Sequence, residues 1–261
     1  MKPDPDNEKS LEARVRAMTP ARVFAPRHGG ALSTVDWLAL RAAHASARDA
    51  VFQETNPATL FEHIPTDLIP FVVASQANTQ TDYLLRPDLG RKIFPGDRKR
   101  IQEACPNGAD IQILLADGLS ATALQKQGPK MLECLTSLAR EEGWKLGRPI
   151  FLHRARVGIL NDIGVLLEPT VCVLLIGERP GLSTADSLSA YLAYQPKPGD
   201  TDARRNLVAS IYHGGVPIFE ASRRILDLAR RMILARQSGV GIREELPTLN
   251  QSGLTDDSNL T

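Results

Sequence analysis

The stretch Val171 to Leu182, which reads VCVLLIGERPGL, limits what this chain can fold into more than any other. Six consecutive apolar residues, Val171 to Ile176, run straight into the turn Gly177-Glu178-Arg179-Pro180-Gly181. So short a run with no polar alternation predicts a strand buried on both faces, as in a parallel sheet. Ligands of open α/β sheets sit in the crevice beyond the carboxyl ends of such strands, so this turn lies where a ligand would be. Gly177 and Gly181 leave the backbone bare for close approach, Pro180 stiffens the loop, and Glu178 and Arg179 offer an acceptor and a donor fork. The same residues also read as a tight connection whose two charges face water.

Strand–turn–helix units recur on both sides of this run. Ile111 to Ala116 is a second apolar run, followed by Asp117-Gly118-Leu119-Ser120. Ser120 is the expected N-cap of a helix over 121–142, with Gly143 as its left-handed stop. Ile150 to His153 predicts a third strand, which passes through Arg154 to Gly158 into the apolar stretch Leu160 to Leu167. After the turn at 177–181, Ser183-Thr184-Ala185-Asp186 reads as a capping box opening a short helix to about Tyr191. A final strand is expected over 206–212, closed by His213-Gly214-Gly215. Pro217 then stands in the first turn of a long helix, with Ala221, Ile225, Leu228, Met232 and Ile233 facing the sheet and Gly239 ending it. Strands alternating with helices over 109–240 argue for right-handed crossovers and a parallel sheet.

Upstream, Ser33 and Asp36 open a helix that runs to about Phe52, after which prolines at 57, 65, 70, 87 and 95 leave room only for short helices. Ile69 to Ala74 fits either a strand or a buried turn of helix. The segment Asp82 to Arg91 reads as a tether with several polar contacts. The expected fold class is therefore α/β: a Rossmann-like parallel sheet with flanking helices, preceded by a small, mainly helical N-terminal domain. The boundaries are a flexible tail at 1–18, carrying a helical stripe of Leu11, Val15 and Met18, the helical domain at 19–104, the Rossmann-like domain at 105–242, and a disordered tail at 243–261.

A net charge of +1 and an aromatic content of 5% give no support for a nucleic-acid partner. No apolar run approaches a membrane span and no signal peptide is recognised, so the expected location is the cytoplasm. Cys105, Cys134 and Cys172 lack metal-ligand spacing, and the last two are expected to be buried, reduced thiols. The five histidines are scattered. G-x-G-x-x-G after a strand, a Walker A loop and a Gly-x-Ser-x-Gly elbow are all absent, which argues against ordinary dinucleotide binding, NTP hydrolysis and serine-hydrolase chemistry. The loops Asp117–Ser120, Arg154–Gly158, Gly177–Gly181 and His213–Gly215 are expected to rim one crevice. None of them assembles a nucleophile, a base and an orienting group, so the expectation is a binding surface with no catalytic residue and no metal ligand.

Several further strings carry a resemblance. They are Arg156-Val157, Asp162-Ile163-Gly164, Leu175 to Leu182, Asp186-Ser187, Tyr191, Tyr194, Leu84 to Arg91, Asp117 to Ser120, Thr19 to Val23 and Ser238-Gly239-Val240. Over about residues 19–241 the chain resembles the small (light) subunit of ethanolamine ammonia-lyase. The resemblance implies a hetero-oligomer with a larger barrel subunit, adenosylcobalamin held at the interface, and conversion of ethanolamine to acetaldehyde and ammonia by residues of that larger subunit. It also implies cofactor contacts at Val157, Glu178 and position 207, and leaves packaging in a bacterial microcompartment open. The family's usual Cys at position 207 is here Leu207, within Arg205-Asn206-Leu207-Val208-Ala209-Ser210, so that contact departs from the pattern. That departure keeps open a rival reading, a Rossmann-like scaffold or regulatory partner without cofactor contact. Asp-x-His-x-x-Gly, whose His serves as the lower cobalt ligand in other cobalamin proteins, is missing, so this chain is not expected to ligate cobalt.

Overall fold

A computed structural model describes residues 11–19, 21–25 and 27–244. Its elements in chain order are α1 (Leu11–Met18), β1 (Arg27–His28), β2 (Ala31–Leu32), α2 (Thr34–Phe52), α3 (Pro57–Leu60), β3 (Phe71–Ala74), α4 (Gln80–Leu85) and α5 (Pro95–Ala104). There follow β4 (Ile111–Ala116), α6 (Ala121–Glu141), β5 (Ile150–His153), α7 (Ile159–Leu167), β6 (Val171–Gly177), β7 (Leu188–Tyr194), β8 (Asn206–Ile211) and α8 (Ile218–Ala235).

The chain forms a mixed α/β fold around a six-stranded sheet in the order β3-β5-β4-β6-β7-β8. Strands β3, β5, β4 and β6 are mutually parallel. The apolar run at 171–176 is β6, in the middle of the sheet, with every residue buried. Its alternate side chains feed two cores. Val171, Val173 and Leu175 pack with α6 and α8 on one face, and Cys172, Leu174 and Ile176 with α5 and α7 on the other. That two-sided burial is why the run lacks polar alternation.

The expectation of a wholly parallel sheet is corrected at its far side. β7 runs antiparallel to β6, and β8 antiparallel to β7, so β8 again points the way β6 does. Residues 183–191 do not form the short helix read from the capping box. Thr184 donates its hydroxyl to Asp186, but Asp186 is drawn to Lys126 at 2.7 Å and Ser120 donates to the Ala185 carbonyl at 2.6 Å. A parallel return needs a crossover of a dozen or more residues, and the connection 178–187, which contains no helix, permits only a hairpin.

Other expectations meet mixed outcomes. Ile69 to Ala74 resolves as strand, since Phe71–Ala74 forms an edge of the sheet beside β5. The stretch 19–104 is largely helical, yet it supplies that edge strand and also core residues such as Ile93 and Ile101. Ser33 and Ser120 cap α2 and α6 as read, accepting from Asp36 N and Ala123 N. Helix α8 ends earlier than expected, at Ala235, with Arg236 in the left-handed cap at φ 53°. Gly239 sits beyond it, against the Ala203 carbonyl. Cys172 is buried but Cys134 is only half-buried, because it lies on the flank of α6. Of the tail read as disordered, Glu244 is seated on α8 by a two-pronged pair with Arg224, and 245–261 lie outside the described residues, as do 1–10. No described helix is long and apolar enough to cross a membrane.

Candidate functional site

Three of the four loops read as a crevice rim converge, and they do so through glycine. A side chain at Gly177 would strike the carbonyls of Ser120 and Asp117, so the ends of β4 and β6 come together only because this position is bare. Leu119 N donates to the Gly177 carbonyl at 3.1 Å and stitches the two loops. The turn after β5, with Arg154 at φ 52°, delivers Arg156 and Val157 beside them. The result is a cavity of 410 Å³ whose wall includes Val157, Glu178 and Leu207, residues widely separated in sequence. Ile176, Tyr191, Arg156 and Arg179 complete its character: apolar over most of its face, with one carboxylate and two guanidinium groups.

His213–Gly215 does not line this cavity, which corrects the expectation of a four-loop rim. With β7 inserted as an antiparallel strand, the far wall is built from side chains within β7 and β8, such as Tyr191 and Leu207, rather than from the loop after β8.

Glu178 does more than face the cavity. Between the pairs Leu188↔Ile211 and Ala190↔Val208 the β7–β8 register shifts, so Ala209 and Ser210 together oppose the single residue Ser189. That is a β-bulge, which leaves a ladder N–H without its strand partner. Glu178 Oε1 takes it, accepting from Ser210 N at 2.8 Å and from the Ser189 hydroxyl at 2.6 Å. Ser210 occupies the left-handed region at φ 59°. Glu178 Oε2 accepts no hydrogen bond among the described residues. The carboxylate thus holds the bulge with one oxygen and leaves the other without a partner there.

Leu207 is 44% exposed on β8, the edge strand, opposite Tyr191. Burial raises the Tyr191 phenol above its ordinary value, with the Asp202 and Glu178 charges acting in the same direction. Val157 stands half-buried where α7 begins, its carbonyl accepting from Leu160 N at 3.2 Å. Tyr83, Ser189 and Ala209 also line the cavity and were missed from the residues. Their positions depend on a bulge and on a tether that hydrophobic periodicity does not encode. No cluster of three or more His, Cys, Asp or Glu able to hold a metal ion occurs among the described residues.

Comparison with known proteins bears on the whole chain. The family model described as "Ethanolamine ammonia-lyase light chain" matches residues 9–243. The chain belongs to that family. It is 37% identical to the ethanolamine ammonia-lyase small subunit of Azotobacter vinelandii over 244 residues, covering 92% of this chain and 90% of that protein. Against the small subunit of Xanthomonas campestris the identity is 38% over 237 residues, covering 89% of this chain and 87% of that one. The Clostridium acetobutylicum small subunit is 35% identical over 232 residues, with 88% and 93% covered. The matches run through every strand of the sheet, so the cavity of this light chain lies inside the shared region.

Proposed function

We propose that this chain is the small subunit of an adenosylcobalamin-dependent ethanolamine ammonia-lyase, which converts ethanolamine to acetaldehyde and ammonia. In this reading it meets a large barrel subunit, which carries the catalytic residues, and contributes Val157, Glu178 and Leu207 to the cofactor's pocket at the interface. The observation that supports it best is convergence: residues from three separate loops and strands, singled out through family resemblance, line one cavity at the carboxyl ends of β4, β5 and β6.

The residues present fit such a cofactor. A corrinoid is a broad apolar disc fringed with amide donors, and the cavity pairs an apolar wall with the free Oε2 of a half-buried carboxylate. A hydrogen bond to a charged group contributes about 1.5–3 kcal/mol. A cavity of 410 Å³ takes only part of so large a molecule, which leaves the remainder to the partner subunit. When bound, the cofactor supplies the carbon–nitrogen bond-breaking chemistry, while this chain's residues orient it and keep water from its edge. The expected setting is the bacterial cytoplasm, with enclosure in a microcompartment compatible with it.

The test is reconstitution. Purified chain with adenosylcobalamin and ethanolamine should release no acetaldehyde above a blank, and addition of the large subunit should restore release. Turnover by the chain alone would overturn the assignment of catalysis to the partner. An active complex whose cofactor affinity ignores substitutions at both Glu178 and Leu207 would instead favour a Rossmann-like scaffold without cofactor contact.

A further inference from the structure

Arg156 is a cation built into the cavity wall with no anion of its own. Its Nη2 donates to the Tyr83 carbonyl at 2.7 Å, and its guanidinium carbon rests 4.5 Å from the centroid of the Tyr83 ring. Its Nε is buried with no partner at all. Among the described residues no carboxylate pairs with it, whereas the adjacent Arg154 meets Glu54 at 3.6 Å. Glu178 lines the same cavity and makes no ion pair with Arg156, its Oε1 being turned to β8 instead. Tyr83 beneath it is 1% exposed, and burial drives its phenol pKa upward, so the surface under the guanidinium is neutral.

The seat is specific. Arg156 N donates to the Gly90 carbonyl at 2.7 Å, and a side chain added at Gly90 would come within 2.7 Å of Arg156 Cγ. The segment 82–91, read from sequence as a tether, therefore has a definite task. It wraps the turn after β5, gives Arg156 an aromatic floor and a carbonyl, and clears space for its stem. A guanidinium is the side chain whose planar fork matches a phosphate or carboxylate, and one already immobilised loses little further freedom on binding. A half-buried cation without a counter-charge is costly to keep unless a ligand supplies the anion. Arg179, also on the rim, is exposed and solvated and lacks such a seat.

We propose that Arg156 is the anion subsite of this cavity and takes the phosphodiester of the cofactor's nucleotide tail, the one anionic group on that molecule's periphery. The inference rests on the reading that the cavity receives adenosylcobalamin, and it fixes which end of the cofactor faces this subunit. Nucleotide tail against Arg156 and amide-bearing edge toward Glu178 is the orientation that satisfies both charges.

The experiment measures equilibrium binding to the assembled two-subunit complex, using adenosylcobalamin and adenosylcobinamide, which lacks the phosphodiester, ribose and base. Arg156→Gln should weaken adenosylcobalamin binding about ten- to a hundredfold. It should leave adenosylcobinamide binding within about twofold. Arg156→Lys, which keeps the charge and loses the fork, should fall between, and serves if the Gln variant fails to assemble. Equal weakening of both corrinoids, or of neither, would overturn the assignment of Arg156. If adding the unsubstituted small subunit to the large one does not improve binding of adenosylcobalamin, the cofactor reading itself fails. Small-subunit-dependent binding without the Arg156 discrimination removes only the anion subsite.

Discussion

β6 and β8 point the same way in one sheet, two strands apart, and are held there by different means. β6 lies between β4 and β7 with main-chain ladders on both sides and side chains buried on both faces. β8 is an edge, its burial is interrupted along its length, and its bulge is tied back by a single carboxylate from the loop after β6. An interior strand draws its stability from many redundant contacts, whereas this edge strand depends on a few identifiable ones. The cavity lies between the two, with the end of β6 in its rear wall and β8 in its front.

The sharpest way to break this contrast is to truncate the interior. Leu174→Ala, at a fully buried position in β6, should cost about 2–5 kcal/mol through lost burial and the void left behind. Denaturant unfolding reads it directly. If the loss were no larger than that of an exposed β8 residue, the interior strand would not be the organising element.

Glu178→Ala comes next. It strands the Ser210 N–H and the Ser189 hydroxyl, so about 1–3 kcal/mol of stability should go, concentrated in β8. Amide exchange at Ser210 should quicken far more than at Leu174. Glu178→Gln keeps an oxygen acceptor, so it should restore most of that protection while removing the charge. A cofactor-binding loss shared by both variants is then a loss of the carboxylate's charge, and one confined to Ala is a loss of β8. Uniform exchange in the Ala variant would show that the bulge does not need the carboxylate.

Legibility from sequence divides along the same line. β4, β5 and β6 are readable because burial on two faces writes itself as runs of apolar residues, unbroken in β6 and interrupted in β4 only by the buried Gln112, and α2 and α6 because Ser33 and Ser120 are side-chain caps. β7 was misread because Leu188 to Tyr194 is apolar without a decisive period, while Ser183 to Asp186 imitates a helix start. Seven registered pairs with β6 override that local signal. The roles of Gly90 and Tyr83 under Arg156 depend on contacts between residues more than sixty positions apart, which no local pattern records. Val157, Glu178 and Leu207 were named through family resemblance, and their meeting in one cavity required the fold.

Alkaline pH probes the interior without mutation. Burial pushes the Cys172 thiol from 9.0 up to about 12, with the Arg205 charge opposing weakly. A raised pKa in the folded state means stability is intact below the unfolded value and is lost as pH climbs toward the folded one. Between pH 9 and about 12 the unfolded chain releases this proton and the folded chain keeps it. The contribution of this group should fall by about 1.4 kcal/mol per pH unit across that window. Cys172→Ala should flatten that part of the profile, and an unchanged slope would place the loss elsewhere. In the native state, a thiol reagent at neutral pH should modify half-buried Cys134 well before Cys172.

The smallest stability effect belongs to Leu207, and for that reason it is the cleanest reporter of the cavity. At 44% exposure on an edge strand, its side chain can shrink to Cys or Ala for under about 1 kcal/mol. Leu207→Asp should also fold, since a carboxylate there can reach water. Cofactor binding is where the variants should separate. Position 207 stands opposite Tyr191 on the cavity's front wall, so an apolar ligand surface laid against it would bury the new charge. Leu207→Cys, the residue that the family resemblance leads one to expect there, should change affinity less than about tenfold, because both side chains offer a ligand an apolar surface and no strong hydrogen bond. Leu207→Asp should lose considerably more while its melting temperature stays near the parent's. A Cys variant that bound more than about tenfold tighter would mean that sulfur matters and that Leu207 weakens the site. An Asp variant that bound normally would mean that the front wall is open to solvent in the complex, and that only the rear wall, built on β6 and the turn after β5, touches the cofactor.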